Sequence, residues 1–181
     1  MRFFLIITTA LAFSFSANAE HHIKRASKNK VQSCTAGLKD ANEQFLILKT
    51  IARNQHVSFQ AYHFSEPLLE SYVQSAISNC CASLALPDEE VDSVVSTFGI
   101  TTTKIIDLYD VFISKESPSF SAASAAATLK DTIRSLSGVI KNLDECLLSV
   151  TPSSRQSEIQ TYIDTIKNKI DTTFTTYGMT A

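Results

Sequence analysis

The stretch ISNCCASL, Ile77 to Leu84, decides how this chain is threaded. It holds Cys80 and Cys81 side by side, and the chain has only two other cysteines, Cys34 and Cys146. Leading into the doublet, Leu69, Tyr72, Val73, Ala76, Ile77 and Cys80 recur at spacings of three and four. That spacing predicts an amphipathic helix beginning after Pro67. A metal site does not fit, because paired C-x-x-C elements are missing. A bond between the two neighbours themselves would need a strained eight-membered ring. Two disulfides therefore radiate from the doublet, one to Cys34 and one to Cys146, with the pairing left open. Cys80 continues the apolar stripe, whereas Cys81 points about 100° away around the helix.

Working outward, the helical period continues almost everywhere. Leu38, Ala41, Phe45, Leu48 and Ala52 mark a helix before the doublet. Asn54 to Glu66 reads as a loop or short irregular helix. After the doublet, Pro87-Asp88-Glu89-Glu90 makes a good helix start, since proline and acids suit a first turn. Val91, Val94, Val95, Phe98, Ile105, Tyr109, Phe112 and Ile113 follow on one face, broadened by Ile106, Leu108 and Val111. Ser117-Pro118 ends that segment. Leu129, Ile133, Leu136, Ile140, Leu143 and Leu147 form the next stripe, which Pro152 breaks. Ile159, Ile163, Ile166, Ile170, Phe174 and Tyr177 form the last, with Ser153 or Ser154 as its cap and Gly178 as its stop. No strand pattern stands out. The expected fold is all-α: a five-helix up-and-down bundle over residues 34–178, stapled by disulfides at one end. In such a bundle the start of the first helix and the ends of the second and fourth share one pole. All four cysteines belong to those ends.

The amino terminus reads MRFFLIITTALAFSFSANAEHHIKR. Arg2, an apolar run too short for a comfortable membrane span, and Ala17-Asn18-Ala19 make a secretory signal peptide cut after Ala19. Lys24-Arg25 is a dibasic processing site ending a short pro-segment, residues 20–25, and residues 26–33 read as a flexible lead. The expected location is extracellular or cell-wall, an oxidising setting in which disulfides persist. No later segment is long and apolar enough to cross a membrane.

The formal net charge of the whole chain is −2, and processing removes three basic residues with one acid. Nucleic acid needs a basic footprint and is excluded as a partner. Catalytic signatures are absent: no HExxH, no G-x-S-x-G and no phosphate-cradling glycine loop occurs. His56 and His63 have no acidic residue at a convincing metal-ligand offset, and Asp88, Glu89 and Glu90 are explained by the helix dipole. The reading is a non-enzyme with no cofactor and no metal. Ser and Thr are abundant, which would allow O-linked sugars and through them contact with wall polysaccharide.

The segments LLESYVQSAISNCCASLALPDEE, VDSVVSTFGITTTKIIDLYDVFISKESPSF and IQTYIDTIKNKIDTTFTTYG resemble the second, third and closing helices of the fungal hydrophobic surface-binding protein A family. That family includes the antigenic cell-wall galactomannoproteins, and many of its members have few cysteines or none. The resemblance implies a secreted or wall-associated fungal protein that adsorbs to hydrophobic surfaces, in a family some members of which hold fatty acids between their helices. A chamber lined by Phe45, Leu48, Ile77, Val94, Phe98, Ile105, Tyr109, Phe112, Leu136, Ile140, Ile163 and Phe174 would hold such a chain, although each of these also reads as closed core. Two other functions stand beside it. One is an inhibitor of a secreted carbohydrate-active enzyme, similar to the plant invertase and pectin methylesterase inhibitors, whose amino-terminal cysteine hairpin this sequence lacks. The other is a structural wall mannoprotein.

Overall fold

The computed structural model describes residues 4–54, 59–82, 85–89, 91–114 and 123–180, with side chains described outside 4–28, 59–63 and 123–126. Five helices make up the regular structure of the described residues: α1 Phe4–Arg53, α2 Phe59–Cys81, α3 Asp92–Ile113, α4 Ala123–Val150 and α5 Gln156–Thr176. The apolar stripes account for them. On α1, Val31, Cys34, Leu38, Ala41, Phe45, Leu48 and Ala52 alternate by three and four and are all buried. The stripe starts one turn before Cys34, and residues 26–33 are helical within α1.

Three boundaries differ from the sequence reading. α3 begins at Asp92, with Val91 as its N-cap, rather than in the Pro87-Asp88-Glu89-Glu90 stretch, where residues 88 and 89 form a turn. α2 begins at Phe59 and carries Pro67 inside it. Proline's fixed φ suits a helix; the cost is one missing N–H and crowding of the preceding turn, and the helix runs through it. α5 takes no serine cap. Its N-cap is Arg155 without a side-chain bond, and Ser154 Oγ instead donates to Asp88 Oδ1 at 2.6 Å. At the far end the reading holds. Gly178 adopts φ 60°, and the N–H groups of Gly178 and Met179 donate to the carbonyls of Thr175 and Phe174. This is the Schellman arrangement, in which a left-handed residue closes the last turn. The Ser117-Pro118 boundary lies outside the described residues.

α1 lies between α2 and α3; α2 also packs on α4, and α3 on α5. The spatial order is therefore α4, α2, α1, α3, α5, and the ring closes where α4 meets α5, its sparsest contact. Directions alternate along the chain. Thr35 faces Ser93 and Lys49 donates to Asp107 at 2.6 Å, so α1 and α3 run parallel. Asp92 with Arg155, and Asp110 with Lys169, give the same direction to α3 and α5. Thr132 donates to Glu66, and Cys81 is bonded to Cys146, so α2 and α4 run parallel to each other. α2 is antiparallel to α1, because Cys34 near the start of the α1 stripe meets Cys80 at the end of α2.

The disulfides are Cys34–Cys80, with Cα atoms 4.4 Å apart, and Cys81–Cys146, at 5.9 Å. All four sulfurs gather at one pole. Cys80 is fully buried while Cys81 is half-buried, as their positions around α2 require. At the same pole the Leu86 N–H donates to the Val150 carbonyl at 2.7 Å, fastening the α2–α3 connection to the end of α4. The core inside the ring is aliphatic and aromatic. Each fully buried Leu, Ile or Phe contributes roughly 1.5–3 kcal/mol of transfer free energy. Among the described residues no helix is long and apolar enough to cross a membrane.

Candidate functional site

α5 buries Ile159, Ile166, Thr173 and Phe174. Ile163 and Ile170 turn toward α4 and stay half-buried. Opposite them α4 presents small residues, Ser137 and Gly138. Neither can fill the space: a Cβ built on Gly138 meets nothing within 4 Å. A cavity of about 550 Å³ results between the two helices. Its apolar wall is Leu148, Ile163, Ile170 and Phe174, and its margin carries Arg134, Lys141 and Lys167 with the acids Glu145 and Asp171. That volume falls within the roughly 300–1,000 Å³ of small-molecule sites.

The inner wall is polar at one place. Asp144 lines the cavity and is only 7% exposed. Its Oδ1 has no hydrogen-bond partner. Burial, helped by the neighbouring Glu145 carboxylate, pushes its pKa up to about 8. At neutral pH the group is therefore an uncharged acid with a proton to donate. Nearby, Ser137 Oγ donates to the Ile133 carbonyl at 2.6 Å. Its single proton is thereby used, so the Tyr109 hydroxyl is the donor in the 2.8 Å Tyr109–Ser137 bond. Burial raises the Tyr109 pKa above its ordinary value; the Ser137 bond opposes this and the charge of Asp144 adds to it. Tyr109 and Ser137 thus form a buried polar pair between α3 and α4, and Asp144 stands two turns further along α4.

The cations stand outside these three residues. Lys141 lies 3.9 Å from Glu145 and Arg134 lies 3.2 Å from Asp131, all four side chains well exposed. Exposed pairs of this kind are worth little on their own. They still give the cavity mouth a positive share.

Of the twelve chamber residues read from the sequence, the structure puts Ile163 and Phe174 on the cavity wall. Phe45, Leu48, Val94, Phe98, Ile105, Tyr109, Phe112, Leu136 and Ile140 are buried in the core, with Ile77 half-buried against it. Periodicity alone did not single out Ser137, Gly138, Asp144 or the three cations. One signal was available: Asp144 stands four residues after Ile140, on the stripe of α4 where an unpaired acid is out of place. His56 lies outside the described residues, and so does the His63 side chain. Among the described residues no group of three or more His, Cys, Asp or Glu side chains is placed to hold a metal ion.

Solved structures with this architecture exist. The chain shares its fold with AfMP4p. The crystal structure of that protein in complex with palmitic acid matches with a TM-score of 0.73 at 15% identity, over 81% of this chain and 99% of that one. Ligand-binding domain 2 of Penicillium marneffei MP1, in complex with arachidonic acids, matches at 0.69 and 14%, over 82% and 92%. Domain 1 of the same protein, also complexed with arachidonic acids, matches at 0.64 and 12%, over 83% and 95%. No protein-family profile and no curated protein sequence matches the chain.

Proposed function

We propose that this protein is a secreted, non-catalytic binder of long-chain fatty acids, related to the fungal hydrophobic surface-binding and cell-wall mannoproteins, and that the α4–α5 cavity is where it holds them. The observation that carries this reading is the cavity itself. It has an apolar wall, a margin of mixed charge and a size suited to one lipid tail, in a fold whose solved examples include complexes with palmitic and arachidonic acid. The leader ending at Ala19 and the two disulfides support secretion, and Lys24-Arg25 is proposed as a second cut. A palmitic-acid tail offers roughly 12 kcal/mol of gross burial at about 0.8 kcal/mol per methylene. Association takes several kcal/mol of this. What is left suffices for micromolar binding, which needs about 8 kcal/mol.

A second reading, adsorption to apolar surfaces, draws on large side chains left in solvent. Phe64, 76% exposed, and Leu68, 48% exposed, stand one turn apart on α2, with Leu46 and Ile47 exposed on α1.

Delipidated protein titrated with radiolabelled palmitate tests the first reading. The expected result is saturable, stoichiometric binding with a micromolar or tighter Kd. Gly138→Trp places an indole in the open space on α4; it should leave the helical circular dichroism unchanged and abolish binding. No saturable binding by the wild-type chain would overturn the function, and undiminished binding by Gly138→Trp would overturn the location.

A further inference from the structure

We propose that Asp144 is the polar contact for the carboxyl headgroup of an acidic lipid seated in the α4–α5 cavity, and that its ionisation releases that lipid. The inference rests on the fatty-acid reading above and assigns it a headgroup site and a pH response. Three observations carry it. Asp144 lines the cavity and is more than nine-tenths buried. Its Oδ1 has no partner within the protein. A buried polar atom without a partner is costly, and the cavity that Asp144 lines is the adjoining space from which a partner would come.

The chemistry follows from the surroundings. On α4, Glu145 is adjacent and Lys141 lies one turn before; the two pair with each other at the surface. From α3 the titratable neighbour is Tyr109, whose proton goes to Ser137. Across the cavity α5 presents Lys167 and Asp171. On α2, the other neighbour of α4, the described titratable side chains are Glu66, which accepts from Thr132, Glu70 and Tyr72. No cation is placed to hold Asp144 ionised, and burial keeps its proton on until about pH 8. A fatty acid, in contrast, is an ionised carboxylate throughout this range. The Asp144 O–H donates to that carboxylate, and one proton is shared by two oxygens carrying a single negative charge. Such charge-assisted bonds are the strong ones. Loss of the proton leaves two anions in contact, an arrangement that like-charge repulsion forbids.

The sign of the linkage is fixed. The bound anion raises Asp144 further, so binding retains a proton, and affinity falls as pH rises past the value for the free protein. With that value near 8, about 90% of the free protein is competent at pH 7 and about 10% at pH 9, so affinity drops about tenfold.

Fluorescence titrations with cis-parinaric acid and with the corresponding uncharged alcohol, at pH 6, 7, 8 and 9, test this. The acid should bind about tenfold more weakly at pH 9 than at pH 7, and the alcohol equally at all four. Asp144→Asn keeps a donor but cannot titrate. It should bind the acid about fivefold more weakly than wild type at pH 7, the donor no longer being an acid, and with no further change up to pH 9. Acid binding that stays flat across the range in the wild type, or that falls equally in Asp144→Asn, would overturn the proposal while leaving the fatty-acid reading standing. Failure of both probes to bind at any pH would overturn both.

Discussion

Replacing Asp144 by asparagine should make the protein more stable, and by an amount that grows with pH. In the unfolded chain the carboxyl titrates in the ordinary range near 4; in the folded chain burial pushes it up to about 8. Between those limits the folded state holds a proton that the unfolded state has released. Stability therefore falls as pH rises, by about 1.4 kcal/mol per pH unit. The full contribution is present below pH 4 and has been lost once pH exceeds 8, the reverse of a salt-bridged acid. Across the window the loss approaches about 5 kcal/mol, comparable to the whole stability of many domains. The asparagine side chain has no proton to lose, so the Asp144→Asn variant escapes this slope. Urea unfolding with the disulfides intact, at pH 4.5, 6 and 7.5, reads the difference directly. All other titrating groups are common to both proteins and cancel. The two stability curves should nearly meet at pH 4.5 and stand several kcal/mol apart at pH 7.5. Curves that run parallel across the range would show that Asp144 is ionised and solvated in the folded chain, and the headgroup argument would fall with it.

Two glycines on helices should respond in opposite directions to the same change. A Cβ on Gly37 would sit 3.0 Å from the Ala76 Cα, backbone of a helix bonded to α1 by Cys34–Cys80. Gly37→Ala is therefore expected to lower stability by about 1–3 kcal/mol, and Gly138→Ala, facing open space, to raise it by about 0.5–1 kcal/mol, both read by urea midpoint. Removing the disulfides one at a time by paired serine substitution should cost about 4 kcal/mol each, since the bridges span 46 and 65 residues and the loop entropy grows only slowly with length; thermal melts check it, and a loss below about 1 kcal/mol for either would mean that the unfolded chain is already compact.

The buried face of every helix was legible in the sequence, because a 3.6-residue period is a local property. Leu38, Phe45, Leu136 and Ile140 lie where their spacing put them. The shared pole was legible too, since an even number of cysteines behind a leader-like amino terminus is expected to pair and Cys80 and Cys81 would need a strained ring to pair with each other. The order of the helices around the ring was not. Periodicity says that a face is covered, never by which helix, and α1 turns out to lie between α2 and α3. The cavity escaped for the same reason. It is a difference between two volumes, and it sits where Ser137 and Gly138 fail to fill the space that Ile163 and Ile170 leave. Most of the expected chamber residues are instead closed core, because the largest apolar side chains are the ones that fill a bundle best.

The bonds that close the ring are distributed unevenly, and this explains why the cavity lies at the α4–α5 seam. Cys34–Cys80 joins α1 to α2, and Cys81–Cys146 joins α2 to α4, so three adjacent helices form one covalent unit. Lys49–Asp107 ties α1 to α3, and Lys169–Asp110 ties α3 to α5, with the Tyr177 hydroxyl donating to the Phe112 carbonyl beyond it. Among the described residues no disulfide and no ion pair joins α4 to α5. Their polar link is Gln156, which donates from the start of α5 to the carbonyls of Leu148 and Thr151 at 3.4 and 3.1 Å, beside the turn that connects the two helices. Among the described residues the polar ties of this seam therefore lie at the cysteine pole, and apolar contact holds the rest. Apolar contact is not directional, so a lipid tail can replace side-chain neighbours there without breaking a specific bond. Each of the other four seams is crossed by a disulfide or a charged pair. The chain places its covalent and ionic ties wherever the ring must stay shut, and leaves them out along the edge that faces the unpartnered acid.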